Sequence, residues 1–235
     1  EMGEALYRRG KADVSEEATG LRQLEIYNTV FRMERNRRDG ARDGVLICGA
    51  YGFGNTGDDA ILQAIIGEMR RIDAHMPVTV LSRRPKDTQR AFGVNACHRF
   101  GVFAIRRVMR RSQLFISGGG SLMQDVTSRL SLWYYLSTIR MAHGCGCKVQ
   151  MYGCGIGPIN RPGNRRMAAR TIDASVDRIT LRDDNSRALL AEMGVTRPDI
   201  RVSADPTIIL TPAPREIVNI ALEQSGIDPN GKYIG

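Results

Sequence analysis

The stretch Gly52-Phe53-Gly54-Asn55-Thr56-Gly57-Asp58-Asp59 holds three glycines at the GxGxxG spacing and ends in two adjacent carboxylates. Glycines so spaced allow a tight turn before a helix whose first amides can hold a diphosphate. Asp58 and Asp59 oppose that use, because in the first helical turn they satisfy the helix dipole themselves and repel a second anion. Arg83 and Arg84, after the run Val78-Thr79-Val80-Leu81, are placed to meet the 2′-phosphate of a dinucleotide. The same geometry serves another purpose if Asn55 or Thr56 caps the helix, the carboxylates anchor its first turn, and one of them contacts a sugar hydroxyl.

A second cluster runs Ser117-Gly118-Gly119-Gly120-Ser121-Leu122-Met123-Gln124-Asp125. Its successive amides, with two hydroxyls, can form a concave site for a carboxylate or phosphate, or simply a turn that needs positive φ, and Asp125 at the end of the run is a further substrate-binding candidate. Arg182 ends the run Arg178-Ile179-Thr180-Leu181 and precedes Asp183-Asp184. It is placed either to grip an anion bidentately or to pair with one of those aspartates. His75, His98 and His143 fall in no motif that marks a general base.

The elements that would position these residues alternate. Apolar, β-branched runs at 45–49, 78–81, 94–98, 114–117, 148–154, 178–182 and 200–203 predict strands, and helical patterns fall at 57–72, 86–92, 102–111, 127–143, 162–175 and 184–193. Such alternation predicts an α/β fold, a Rossmann-like doubly wound parallel sheet. Glycines follow three of the strands, at Gly49, at Gly118 to Gly120, and at Gly153, Gly155 and Gly157. Ligands bind beyond the carboxyl ends of strands in open α/β sheets, so these ends predict one shared crevice.

Residues 1–43 stand apart as a helical and linker extension, with Leu21, Leu24, Tyr27, Val30 and Phe31 in a loosely helical pattern. Residues 44–212 form the main domain, and 213–235 read as the start of a second domain, so a fragment of a longer protein is expected.

The chain has 235 residues, 42% of them hydrophobic, enough for one substantial core. It shows no signal-peptide order and no apolar run of membrane-spanning length, which predicts a cytoplasmic protein. Its five cysteines include no CxxC pair and read as reduced core thiols, with no metal site. The formal net charge is +9, with arginines clustered at 32–42, 106–111 and 165–170. These are solvated helix faces, or patches suited to phosphorylated substrates or an anionic membrane. No aromatic-interleaved motif supports nucleic acid.

Taken in order, "GAYGFGNTGDDAILQAI", "ISGGGSLMQDVTS", "YGCGIGPI", "ITLRDDNS" and "VSADPTIIL" resemble the polysaccharide pyruvyl transferase family, of the type that modifies cell-wall polymers. The resemblance covers about residues 45 to 210. It implies the amino-terminal half of a GT-B-like two-domain enzyme that moves pyruvate from phosphoenolpyruvate to two hydroxyls of a sugar, forming a cyclic ketal without a metal or redox cofactor. The acceptor implied is a lipid-linked or polymeric glycan, with peripheral contact at the inner membrane face. Carried over by position, Asn55, Gly57, Asp58 and Asp59 would line the acceptor side, Gly118, Gly119, Gly120 and Ser121 the cleft floor, and Arg182 the donor anion.

Further donor groups are expected from a second domain, so the 235-residue chain is expected to be inactive alone. Asp59 stands where many relatives have Glu, and the amino-terminal extension matches no part of the family pattern. Two alternatives stay open: a GT-B glycosyltransferase with a nucleotide-sugar donor, and a non-catalytic anion- or partner-binding half.

Overall fold

The computed structural model describes residues 42–231 apart from 75, 127 and 230. The predicted helix around 21–33, His75 and the last residues of the expected second domain lie outside the described residues.

Seven parallel strands form one sheet in the order β3-β2-β1-β4-β5-β6-β7. The strands are β1 (Gly44–Cys48), β2 (Val78–Ser82), β3 (Asn95–His98), β4 (Ser112–Gly118), β5 (Lys148–Cys154), β6 (Arg178–Leu181) and β7 (Asp199–Val202). The helices between them are α1 (Thr56–Ile72), α2 (Pro85–Phe92), α3 (Val102–Arg111), α4 (Arg129–Gly144), α5 (Pro162–Ser175) and α6 (Asp184–Glu192). A 3₁₀ turn, Pro206–Ile209, and α7 (Arg215–Gln224) follow β7; the sequence reading had neither.

The central strands read as unbroken apolar runs because both faces of the sheet are covered. In β1, Val45 and Ile47 face one core cluster with Ile61, Leu62, Ile65 and Met69 of α1. Leu46 and Cys48 face the other, built with residues of α3, α4, α5 and α6. The chain leaves β1 toward β2 and β3, then returns to place β4 on the opposite side of β1. That reversal is the topological switch point, where the loops after β1 and β4 part and leave a crevice.

Gly118 shows how closely the layers approach: a Cβ there would run into Ile65 Cδ1 of α1. The five cysteines are free. Cys48, Cys147 and Cys154 are buried, and that burial raises their thiols to about 11, about 12 and about 12. Arg106, Arg107, Arg110 and Arg111 are exposed along α3, the solvated-face arrangement. Among the described residues no helix is long and apolar enough to cross a membrane.

Candidate active site

A cavity of about 460 Å³ opens at the switch point. Asn55, Gly57 and Asp58 reach it from the start of α1, Gly120 and Ser121 from the loop after β4, and Arg182 from the end of β6. Six residues singled out in the sequence, from three separate strand ends, thus share one wall-to-wall space.

The first turn of α1 explains the opening motif. Asn55, extended at φ −93° and ψ 110°, is the N-cap, and its side-chain oxygen accepts from the Gly57 amide at 3.0 Å. Asp58 and Asp59 follow in the first turn and Arg70 and Arg71 in the last, so both helix ends match the dipole. Asp58 turns into the cavity, whereas Asp59 is not among the residues lining it.

Burial raises the Asp58 carboxyl above its ordinary value; the Gly120 amide, by donating to it, partly offsets this, and the like charge of Asp59 adds to the rise. An amide of the second glycine turn is therefore satisfied by this chain's own carboxylate. That arrangement leaves less room for the diphosphate that a GxGxxG spacing suggests.

The three glycines after β4 divide their roles. Gly118 and Gly119 are buried, and Gly118 accepts a 2.7 Å hydrogen bond from the fully buried Tyr51 hydroxyl. They shape the floor from beneath. Gly120 and Ser121 line the cavity itself. The helix that follows, α4, begins at Arg129, close to its predicted start at 127.

Asp125, grouped with this cluster in the sequence, lies elsewhere. Its oxygens accept from the amides of Asn160 at 2.8 Å and Arg161 at 3.2 Å and from Asn164 Nδ2 at 2.8 Å. Burial pushes its pKa up, yet these donors outweigh that and hold it below the ordinary carboxyl value. Asp125 braces the loop after β5 and is not among the residues lining the cavity.

Arg182 pairs with neither of the two aspartates that follow it in sequence. Its Nη1 lies 3.1 Å from Asp205 and its Nη2 donates to Ser121 Oγ at 3.0 Å. Asp183 instead caps α6, accepting from the Ser186 amide at 2.7 Å and hydroxyl at 3.0 Å. Asp205 also accepts from the Thr207 amide and hydroxyl, which fixes it at the head of the 3₁₀ turn.

Asp205, Thr207, Ser131 and Tyr135 line the cavity but were not singled out from sequence. The signal for Asp205 was present in "VSADPTIIL", where an aspartate before Pro-Thr is the pattern of a helix-turn cap. Ser131 and Tyr135 lie on α4 with no local motif, and only the fold brings them here.

This site falls within one family pattern. The polysaccharide pyruvyl transferase family model matches residues 55–234. The chain belongs to that family. The match begins at Asn55, the cap of α1, and runs through Gly120, Ser121, Arg182 and Asp205, so the matched segment includes these cavity-lining residues. Among curated proteins, none matches the chain.

Proposed function

We propose that this polysaccharide pyruvyl transferase takes pyruvate from phosphoenolpyruvate and builds a cyclic ketal on a sugar of a cell-wall polysaccharide precursor, with an N-acetylmannosamine-type acceptor as the first candidate. The observation that carries the reading is a raised carboxyl, Asp58, facing a guanidinium, Arg182, across one cavity inside the family-matched region.

The reaction has two steps. One acceptor hydroxyl oxygen bonds to C2 of phosphoenolpyruvate while the methylene carbon takes a proton, so the hydroxyl's proton and the new methyl hydrogen balance. The second hydroxyl oxygen then bonds to C2, the C2–O bond to phosphate breaks, and its proton leaves with phosphate or water.

Asp58 acts as the base toward an acceptor hydroxyl, a task favoured by a carboxyl raised above its ordinary range. Asn55 and Ser121 orient the acceptor through neutral hydrogen bonds. Arg182 holds the donor anion: two of its five N–H donors are engaged by Asp205 and Ser121, and others remain for a carboxylate or phosphate. Asp205 keeps the guanidinium in place. Charge stabilised by a fixed guanidinium in a partly desolvated site is the largest contribution expected of such a reaction. No metal or redox cofactor is called for, and we place the reaction at the cytoplasmic face of the membrane, where lipid-linked glycans are assembled.

The test is acceptor-dependent phosphate release from phosphoenolpyruvate by the full-length protein, with a lipid-diphosphate disaccharide containing N-acetylmannosamine. Release that requires the acceptor supports the reading. Specific binding of UDP with no consumption of phosphoenolpyruvate would favour a nucleotide-sugar glycosyltransferase instead.

A further inference from the structure

The proposed reaction uses Arg182 and leaves Arg99 without a task. Arg99 follows β3 and is 8% exposed, the only buried arginine among the described residues. Its guanidinium carbon lies 4.2 Å from the ring centre of Tyr134, 5.1 Å from Phe53, 5.3 Å from Phe100 and 5.8 Å from Tyr135. Its main chain is fixed as well: the Arg99 amide donates to Ser82 at 3.0 Å, and its carbonyl accepts from the Tyr134 hydroxyl at 3.1 Å.

Ring faces attract a guanidinium through their quadrupoles, but they do not satisfy the strong N–H donors at its edge. The guanidinium donates a hydrogen bond to the Tyr135 hydroxyl; among the described residues, Nε has no hydrogen-bond partner and no carboxylate forms a salt bridge with Arg99. A buried cation without an anion is costly unless something else supplies the acceptors.

Space for that acceptor adjoins the group. A second cavity, of about 580 Å³, is lined by Arg99 itself, with Phe53, Phe100 and Tyr134 as aromatic walls and Arg83 and His98 as further basic groups. Ser131 lines both this cavity and the one that holds Asp58 and Arg182, so a single extended ligand can occupy the two. The Arg83 guanidinium also lies over Phe53, at 5.2 Å. Nothing on this wall is acidic, and its aromatic faces suit the C–H face of a sugar ring.

We propose that Arg99 is the anion-binding end of an acceptor subsite, and that the glycan acceptor carries an acidic group, a phosphate ester or a carboxylate, next to a ring that packs on Phe53 and Phe100. The inference rests on the transfer reading above and narrows its acceptor to an anionic saccharide. Arg182 holds the donor on one side of Ser131, and Arg99 holds the charged end of the acceptor on the other.

The test is calorimetric titration of the full-length protein with N-acetylglucosamine 1-phosphate, glucuronic acid and neutral N-acetylglucosamine, repeated in Arg99→Gln and Phe53→Ala. Phe53 is 47% exposed, so its truncation spares the core if the arginine variant does not fold. At least one acidic sugar should bind tenfold or more tightly than the neutral one, Arg99→Gln should erase that preference, and Phe53→Ala should weaken binding of acidic and neutral sugars alike. Binding of the phosphate ester alone, or of the uronic acid alone, supports the subsite and identifies its anion. Equal binding of acidic and neutral sugars, a preference that survives in a folded Arg99→Gln, or sugar binding left unchanged in Phe53→Ala, overturns it. Phosphoenolpyruvate turnover is followed in parallel with the lipid-linked acceptor; its absence beside an intact anion preference overturns the transfer reading and not the subsite.

Discussion

Asp58 and Asp125 follow neighbouring strands of one sheet, yet their carboxyls are pushed in opposite directions. Asp125 is surrounded by donors, two amides and a side-chain amide, and its pKa falls. Asp58 is partly buried beside another carboxylate and accepts from the Gly120 amide, which does not offset the burial, and its pKa rises. The contrast separates a brace from a reactive group. A carboxylate whose lone pairs are filled by its own chain holds two loops together, whereas one left under-satisfied in a cavity has affinity to spend on a proton.

The comparison can be broken at either end, and the largest effect is expected at Asp58. Asp58→Asn should lower kcat for phosphoenolpyruvate-dependent phosphate release by about 10²-fold or more, the usual contribution of a positioned base. The same variant should melt higher than wild type at neutral pH. The sign follows from the raised folded-state pKa: the carboxyl favours folding most when protonated, below its unfolded value, and that contribution is lost as pH rises through the folded value. Scanning calorimetry at pH 5 and pH 8 checks this, with the greater gain at the higher pH.

At the other end, Asp125→Ala strands the Asn160 and Arg161 amides and the Asn164 side chain. It should cost about 3 kcal/mol of stability by urea unfolding. The wild-type contribution of Asp125 should run opposite to that of Asp58, present above its unfolded pKa and lost as pH falls through its depressed folded value.

Two smaller effects sharpen the picture. Arg182→Lys keeps the charge but loses the planar fork that reaches Asp205 and Ser121 together. The KM for phosphoenolpyruvate should rise about tenfold, or ~1.4 kcal/mol, with a smaller change in kcat. Asn55→Ala removes the α1 cap and should cost about 1 kcal/mol in thermal unfolding, with its effect on activity confined to the acceptor KM.

The fold was legible because its signals were local and repeated. All seven strands of the sheet were readable as short apolar runs, with ends displaced by a residue or two, and the glycines at their carboxyl ends marked the crevice. The cap at Asn55 and the paired acids after it were equally readable, since a cap and its helix lie within one turn of chain. What escaped was partnership over distance. Arg182 has two acids beside it in sequence and pairs with neither, because Asp183 is turned back to cap α6 and Asp205 arrives from beyond β7. Asp125 sits eight positions from Ser117 in a glycine-rich run, and its true partners are 35 to 39 residues away. Arg99 gave little sign, since apart from the adjacent Phe100 its aromatic surroundings come from the loop after β1 and from α4. The family resemblance named the region, and the geometry distinguishes the residues that face the cavity from those that build it.

The central claim is that Asp58, raised above an ordinary carboxyl and facing Arg182, is the base for pyruvyl transfer. The most direct measurement is the pH dependence of kcat/KM for acceptor-dependent phosphate release, in wild type and in Asp58→Asn. Wild-type activity should fall on the acidic side with an apparent pKa above the 3.8 of an unperturbed aspartate, and the variant should be slow and lack that limb. An acidic limb of the same position in both proteins, with comparable rates, would contradict the account.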